Sequence, residues 1–144
     1  MAADNAVPQF ERFDAAGGHR IVRWTGSQEA LTSSDIEAWK DRQRSAEWAQ
    51  SQLPSLEIAW SKMDVPALKP YYGRATVGSD GTVWVGPLDG GSGWTAFDAA
   101  GRYVGVVALS DRFTPHDSGP GWLLGVFRDE NDVEYVRLYE LEPW

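Results

Sequence analysis

Hydrophobic and polar positions alternate with period two over several short stretches of this chain, and with a helical period over one. QFERF (residues 9–13) and HRIVRW (19–24) flank DAAGG, which predicts a hairpin over residues 9–24. TSSDIEAW then opens a helix, with Ser34 and Glu37 spaced as a capping box. The helix is expected to span 33–53 and to stop at Pro54. Its face would be Ile36, Trp39, Ala46, Ala49 and Leu53, with Trp48 on the charged side among Lys40, Arg44 and Glu47.

Residues 54–70 hold three prolines and no sustained period, so a connector is expected there, packed down by Ile58, Trp60 and Met63. After Pro70 the pattern turns to strands. YYGRATVGSDGTVWVGP and SGWTAFDAAGRYVGVVAL each read strand, turn, strand, so 71–109 predicts four sequential antiparallel strands. That is the anatomy of one β-propeller blade. DRFTPHDSGPG is expected to be a loop, and 120–142 a closing hairpin around DEND.

The stretch FDAAG occurs twice, at Phe13 and at Phe97, 84 positions apart. Two repeats of 42 fit the length of a propeller blade, which is about 40–45 residues. The expected fold is therefore mainly β, one domain over 1–144. One four-stranded blade-like sheet would be complete, and a second would form from the N- and C-terminal hairpins, with one amphipathic helix beside them.

DGTVWV, WTAFDAAGRYVGVVAL and LLGVFRDENDVEYVRLYEL together resemble the C-terminal part of bacterial six-bladed β-propeller proteins of the NHL/TolB-like type. The likeness covers residues 71–142, with a weaker echo at 9–24. It implies a fold, truncated to about two blades, and no activity. A blade buries its faces against its neighbours, so a truncated set leaves faces and edges to be covered from within or by a partner.

Composition narrows the function classes. The net charge of −8 argues against nucleic acid and anionic lipid as partners. There is no cysteine, which removes disulfides and thiolate metal sites and fits an envelope protein. MAADNAVPQF has neither a basic nor an apolar signal region. A periplasmic or otherwise extracytoplasmic location follows if a signal peptide has been removed, and a cytoplasmic one if Met1 is the native start. No apolar run is long enough to span a bilayer, so the chain is expected to be soluble, peripheral to a membrane complex at most.

Candidate chemistry is sparse. His116 lies near Asp111 and Asp117, an imidazole–carboxylate set that suits some metals, although the surrounding Pro, Gly and Ser read as an ordinary loop. Asp129, Asn131 and Glu140 fall at calcium-loop positions, but Glu134 stands where the glycine must be. PLDGGSGW lacks the Lys-Ser/Thr of a phosphate loop. Asp89 with Asp98, or Asp111 with Asp117, could pair for glycoside hydrolysis, yet carboxylates are common here. No nucleophile elbow occurs, and no catalytic residue or cofactor is assigned.

The eight tryptophans say more. Trp24, Trp84 and Trp94 are expected in the core. Trp48, Trp122 and Trp144 are harder to bury and, with Arg44, are the expected partner-binding residues. The expected function is a non-enzymatic interaction module, an accessory or extrinsic subunit of a larger, envelope-associated assembly that binds protein partners or itself. The alternative is a carbohydrate-binding or glycoside-hydrolysing domain that uses Trp platforms and paired carboxylates.

Overall fold

The computed structural model describes residues 1–13, 16–88 and 91–142. They form two compact units: Met1–Gly26 with Pro70 onward, and Ser27–Lys69. The first is all β. The second is helical, a division not made from the sequence.

The β unit contains three antiparallel sheets. Strands β1 (Ala2–Asp4), β2 (Gln9–Phe13) and β3 (His19–Arg23) make the N-terminal sheet in sequential order. Strands β4 (Arg74–Val77), β5 (Val83–Gly86), β6 (Gly93–Phe97) and β7 (Tyr103–Ala108) make the expected four-stranded meander. Strands β8 (Phe113–Gly119), β9 (Trp122–Arg128) and β10 (Glu134–Glu140) make the C-terminal sheet.

The four-stranded sheet lies between the other two, as the alternation in β5 shows. Val83 and Val85 point to one face and join Phe97, Tyr72, and Phe10 and Val22 of the N-terminal sheet. Trp84 points to the opposite face and joins Trp94, Ala96, and Phe113 and Leu123 of the C-terminal sheet. All these residues are buried. A period-two pattern apolar at both parities is what a doubly covered strand requires. Trp24 is partly buried against the first of these clusters.

The two FDAAG stretches hold equivalent places. The second joins β6 to β7: Asp98 Oδ1 accepts from the amides of Ala100 and Arg102, and Gly101 closes the turn at φ 77°. The first joins β2 to β3, with Gly17 at φ 85°; Asp14 and Ala15 lie outside the described residues. The hairpins also meet in space. Arg12 donates to the carbonyls of Gly81 and Ala99, at 2.9 and 2.6 Å, and Arg20 donates to that of Ala100.

Two expectations about the β unit are corrected. The N- and C-terminal hairpins do not share a sheet: β2 pairs with β1 and β3, while β9 pairs with β8 and β10. The inner face of the N-terminal hairpin, Phe10 and Val22, packs flat on the four-stranded sheet instead of adding at an edge. The stretch DRFTPHDSGPG is not a loop but contains β8. Pro115 and the bulge at His116 disguised it, yet a proline is compatible with an edge strand, whose outward side needs no N–H donor. The centre of the four-stranded sheet is covered on both sides, whereas Tyr103 and Val106 on its edge strand β7 stay 63% and 60% exposed.

In the helical unit, α1 runs Ser33–Ser45, a 3₁₀ segment Glu47–Gln52, and α2 Leu53–Ser61. The capping box is present two residues earlier than expected, between Thr32 and Asp35. The single helix over 33–53 and the connector at 54–70 are both corrected. Ala46 is extended at ψ 133° and breaks the first helix. Pro54 starts α2 rather than stopping α1, because a first-turn proline loses no helical bond. The expected face is only partly buried: Ala49 is buried, Ile36, Ala46 and Leu53 are half-buried, and Trp39 is 37% exposed. Trp60 is buried, whereas Ile58 and Met63 are exposed. The two ends of the unit run side by side, with Leu31 N donating to Ala67 O at 3.0 Å and Lys69 N to Glu29 O at 2.9 Å.

Candidate functional site

The two outer layers of the β stack end differently. On the N-terminal sheet, Phe10 and Val22 face inward, so Gln9, Glu11, Phe13, His19, Ile21 and Arg23 face outward. Polar cross-strand pairs lace that surface: Arg23 Nε donates to Gln9 Oε1 at 2.9 Å, and His19 Nε2 lies 3.0 Å from Glu11 Oε2. Phe13, stacked on His19, and Ile21 share this face and stay 59% and 41% exposed.

The C-terminal sheet is different. Leu123, Phe127 and Tyr139 pack inward, and Arg137 stacks on the Phe127 ring at 3.5 Å. The opposite parity therefore faces outward: Trp122, Leu124 and Val126 on β9, and Val136 and Leu138 on β10. The register places Val136 against Val126, Leu138 against Leu124, and Glu140 against Trp122. Val136 is 76% exposed and Leu138 61%. Together with half-buried Trp122, Leu124 and Val126 they form an apolar patch on one sheet face, the kind of surface that marks an interface.

A hollow of about 420 Å³ adjoins the patch, lined by Arg74, Thr114, His116, Val126, Arg128 and Glu134. Arg128 is engaged there, donating to Asp132 at 3.2 Å and to Glu134 at 2.5 Å.

The sheet carrying the patch is pinned from beneath. Trp84 Nε1 donates to Ser118 Oγ at 3.0 Å, and Ser118 Oγ donates to Asp80 Oδ1 at 3.1 Å. Asp117 accepts from the amide and hydroxyl of Ser79, at 2.6 and 2.8 Å. These hydrogen bonds hold the Asp117 carboxyl below the usual range. The bulge at His116 brings Asp117 and Ser118 to the β4–β5 turn.

The predicted site residues scatter. Trp122 lies on the patch, half-buried over Gly119, where an added Cβ would meet its ring at 2.4 Å. Trp48 is 58% exposed, but on the 3₁₀ segment of the helical unit. Arg44 is a structural tie: it donates to Glu57 at 2.8 Å and Asp41 at 2.6 Å, and its guanidinium lies 5.4 Å from the centre of the Trp60 ring. Its pKa is raised by the bonds to Glu57 and Asp41. Trp144 lies outside the described residues. Leu124, Val126, Val136 and Leu138 were missed; a signal for the first two is visible, since WLLGVF places no charged residue at either parity.

Of the carboxylates considered for acid–base work, Asp98 and Asp117 are engaged in short hydrogen bonds, and Asp111 accepts from Ser110 Oγ at 3.4 Å. Asp98 is held below the usual range, chiefly by the Arg102 amide and side chain. Asp129 closes the β9–β10 turn by accepting from the amides of Val133 and Asn131. Asp89 lies outside the described residues. Among those described, no three His, Asp or Glu residues converge on a point suited to a metal, and no helix is long and apolar enough to cross a membrane. No protein-family model matches the chain, and neither a curated protein nor a solved structure gives a significant match.

Proposed function

We propose that this chain is a non-enzymatic interaction module, an accessory subunit of a larger protein assembly, and that it docks through the outer face of the β8–β10 sheet. The observation that carries the reading is the asymmetry of the stack. One outer face sets its exposed Phe13 and Ile21 among polar cross-strand pairs, and the other exposes Val136 and Leu138 beside half-buried Trp122, Leu124 and Val126. Stacked-sheet and repeat architectures close a free end with a polar surface. An apolar end is the surface a further layer would cover.

The carbohydrate reading has less support. A glycosidase acid needs a raised pKa. Asp98 and Asp117 are both lowered by bonds that also shape turns.

Affinity purification of the tagged chain from its source cells tests the proposal. The wild type is expected to retain a stoichiometric protein partner, which the Leu124→Lys/Leu138→Lys variant loses without a fall in melting temperature. Turnover of glycosides by a chain that retains no partner would overturn it.

A further inference from the structure

We infer that β10 accepts an extended strand from the partner along its open backbone edge, and that this strand carries a basic residue at each end of an aliphatic centre. The inference rests on the docking reading above and narrows it to one partner chemistry.

Among the described residues β10 pairs with β9 alone, and all seven of its residues are in unbroken register. Its outer side therefore presents a row of unpaired backbone donors and acceptors. The other sheet edges are blunted. β1 has three residues and β4 four. β3 carries His19, Arg20 and Arg23 within five residues. β8 contains Pro115 and a bulge, and the register of β7 shifts opposite Ala96/Phe97. β10 (EYVRLYE) has no proline, glycine, lysine or bulge. It is the edge left fit for strand addition. The neighbouring sheet makes the same point: β4–β5–β6 continues to a fourth strand, β7, while β8–β9–β10 stops at three.

The side chains select the occupant. Glu134, Val136, Leu138 and Glu140 point to the outer face. A second copy pairing antiparallel over all seven residues would set Glu134 against Glu140 at both ends and Arg137 against Arg137. Like charges directly opposite one another destabilise a sheet. The complement is a strand reading basic–x–aliphatic–x–aliphatic–x–basic. Glu134 already receives Arg128, so Glu140 supplies most of the local attraction. The net charge of −8 adds long-range steering of a basic segment. Aliphatic residues facing Val136 and Leu138 would extend the apolar patch by one strand.

The test titrates the isotope-labelled full chain with the end-blocked peptide Lys-Thr-Val-Thr-Ile-Thr-Lys and with its counterpart bearing Glu at both ends. The basic peptide is expected to slow amide exchange at alternate positions of β10. It should bind about tenfold more tightly than the acidic one, a ratio that Glu140→Lys diminishes or reverses. Equal binding of both peptides, protection elsewhere than β10, or dimerisation through β10 without peptide would overturn the inference. If neither peptide binds while Leu124→Lys on β9 still abolishes partner retention, strand addition fails and the docking face stands. If neither peptide binds and Leu124→Lys retains the partner, both fail.

Discussion

Gly17 and Gly101 occupy the same place in the two FDAAG turns, and both sit at positive φ. Their surroundings differ. A Cβ on Gly17 would meet nothing within 4 Å, whereas one on Gly101 would lie 2.4 Å from Val22 Cγ2. Left-handed backbone strain costs about 1–2 kcal/mol for a residue with a Cβ. Gly17→Ala is therefore expected to cost about that much, and Gly101→Ala more, because it also pushes the N-terminal hairpin off the four-stranded sheet. Chemical denaturation of the two variants measures the difference; equal losses would show that the hairpin does not seat on this turn. Ser118→Ala removes both the Trp84 and the Asp80 bonds from beneath the β8–β10 sheet and is expected to cost about 1–3 kcal/mol. The second turn was legible because Asp98 and Gly101 each have a local task there. The role of Ser118 was not, since its partners lie 34 and 38 residues away.

At the scale of elements, strands were read well wherever the alternation was local and turns were marked, as in β4 to β7. Errors arose where proline or a bulge masked the pattern. Pro115 made β8 look like a loop, and Pro54 looked like a stop when it was a start. The apolar outer face of the β8–β10 sheet was legible only in part. Trp122 stood out by residue type, but its four aliphatic neighbours gain meaning only once register shows which parity is covered. The start of α1 also yields a pH prediction. Hydrogen bonds from Thr32, then from Lys69, hold the Asp35 carboxyl at about 2, against an ordinary 3.8. The unfolded chain thus takes up the proton more readily, so this contribution is full above the ordinary value and fades as pH falls toward the lowered one. Asp35→Asn is expected to flatten the loss of helical circular dichroism between about pH 4 and pH 2. An unchanged acid profile would show that the capping box contributes nothing to the helix.

At the scale of the whole molecule, the chain leaves the β unit after Gly26 and re-enters it at Pro70. A Cβ on Gly26 would lie 3.3 Å from the Tyr71 ring, so the exit and re-entry points are neighbours. Replacing residues 27–69 with a short glycine linker is therefore expected to leave the three-sheet unit folded, with its tryptophan fluorescence and cooperative melting retained; a molten product would show that the helical unit is required for the fold. The central claim concerns the β8–β10 sheet, whose outer face carries exposed Val136 and Leu138. The most direct measurement places a photo-crosslinking side chain at Val136 on that face and, separately, at Ile21 on the polar-laced face, then irradiates the source cells. The account predicts a discrete protein adduct from position 136 and none from position 21. Adducts from position 21 alone, or none from position 136, would contradict it.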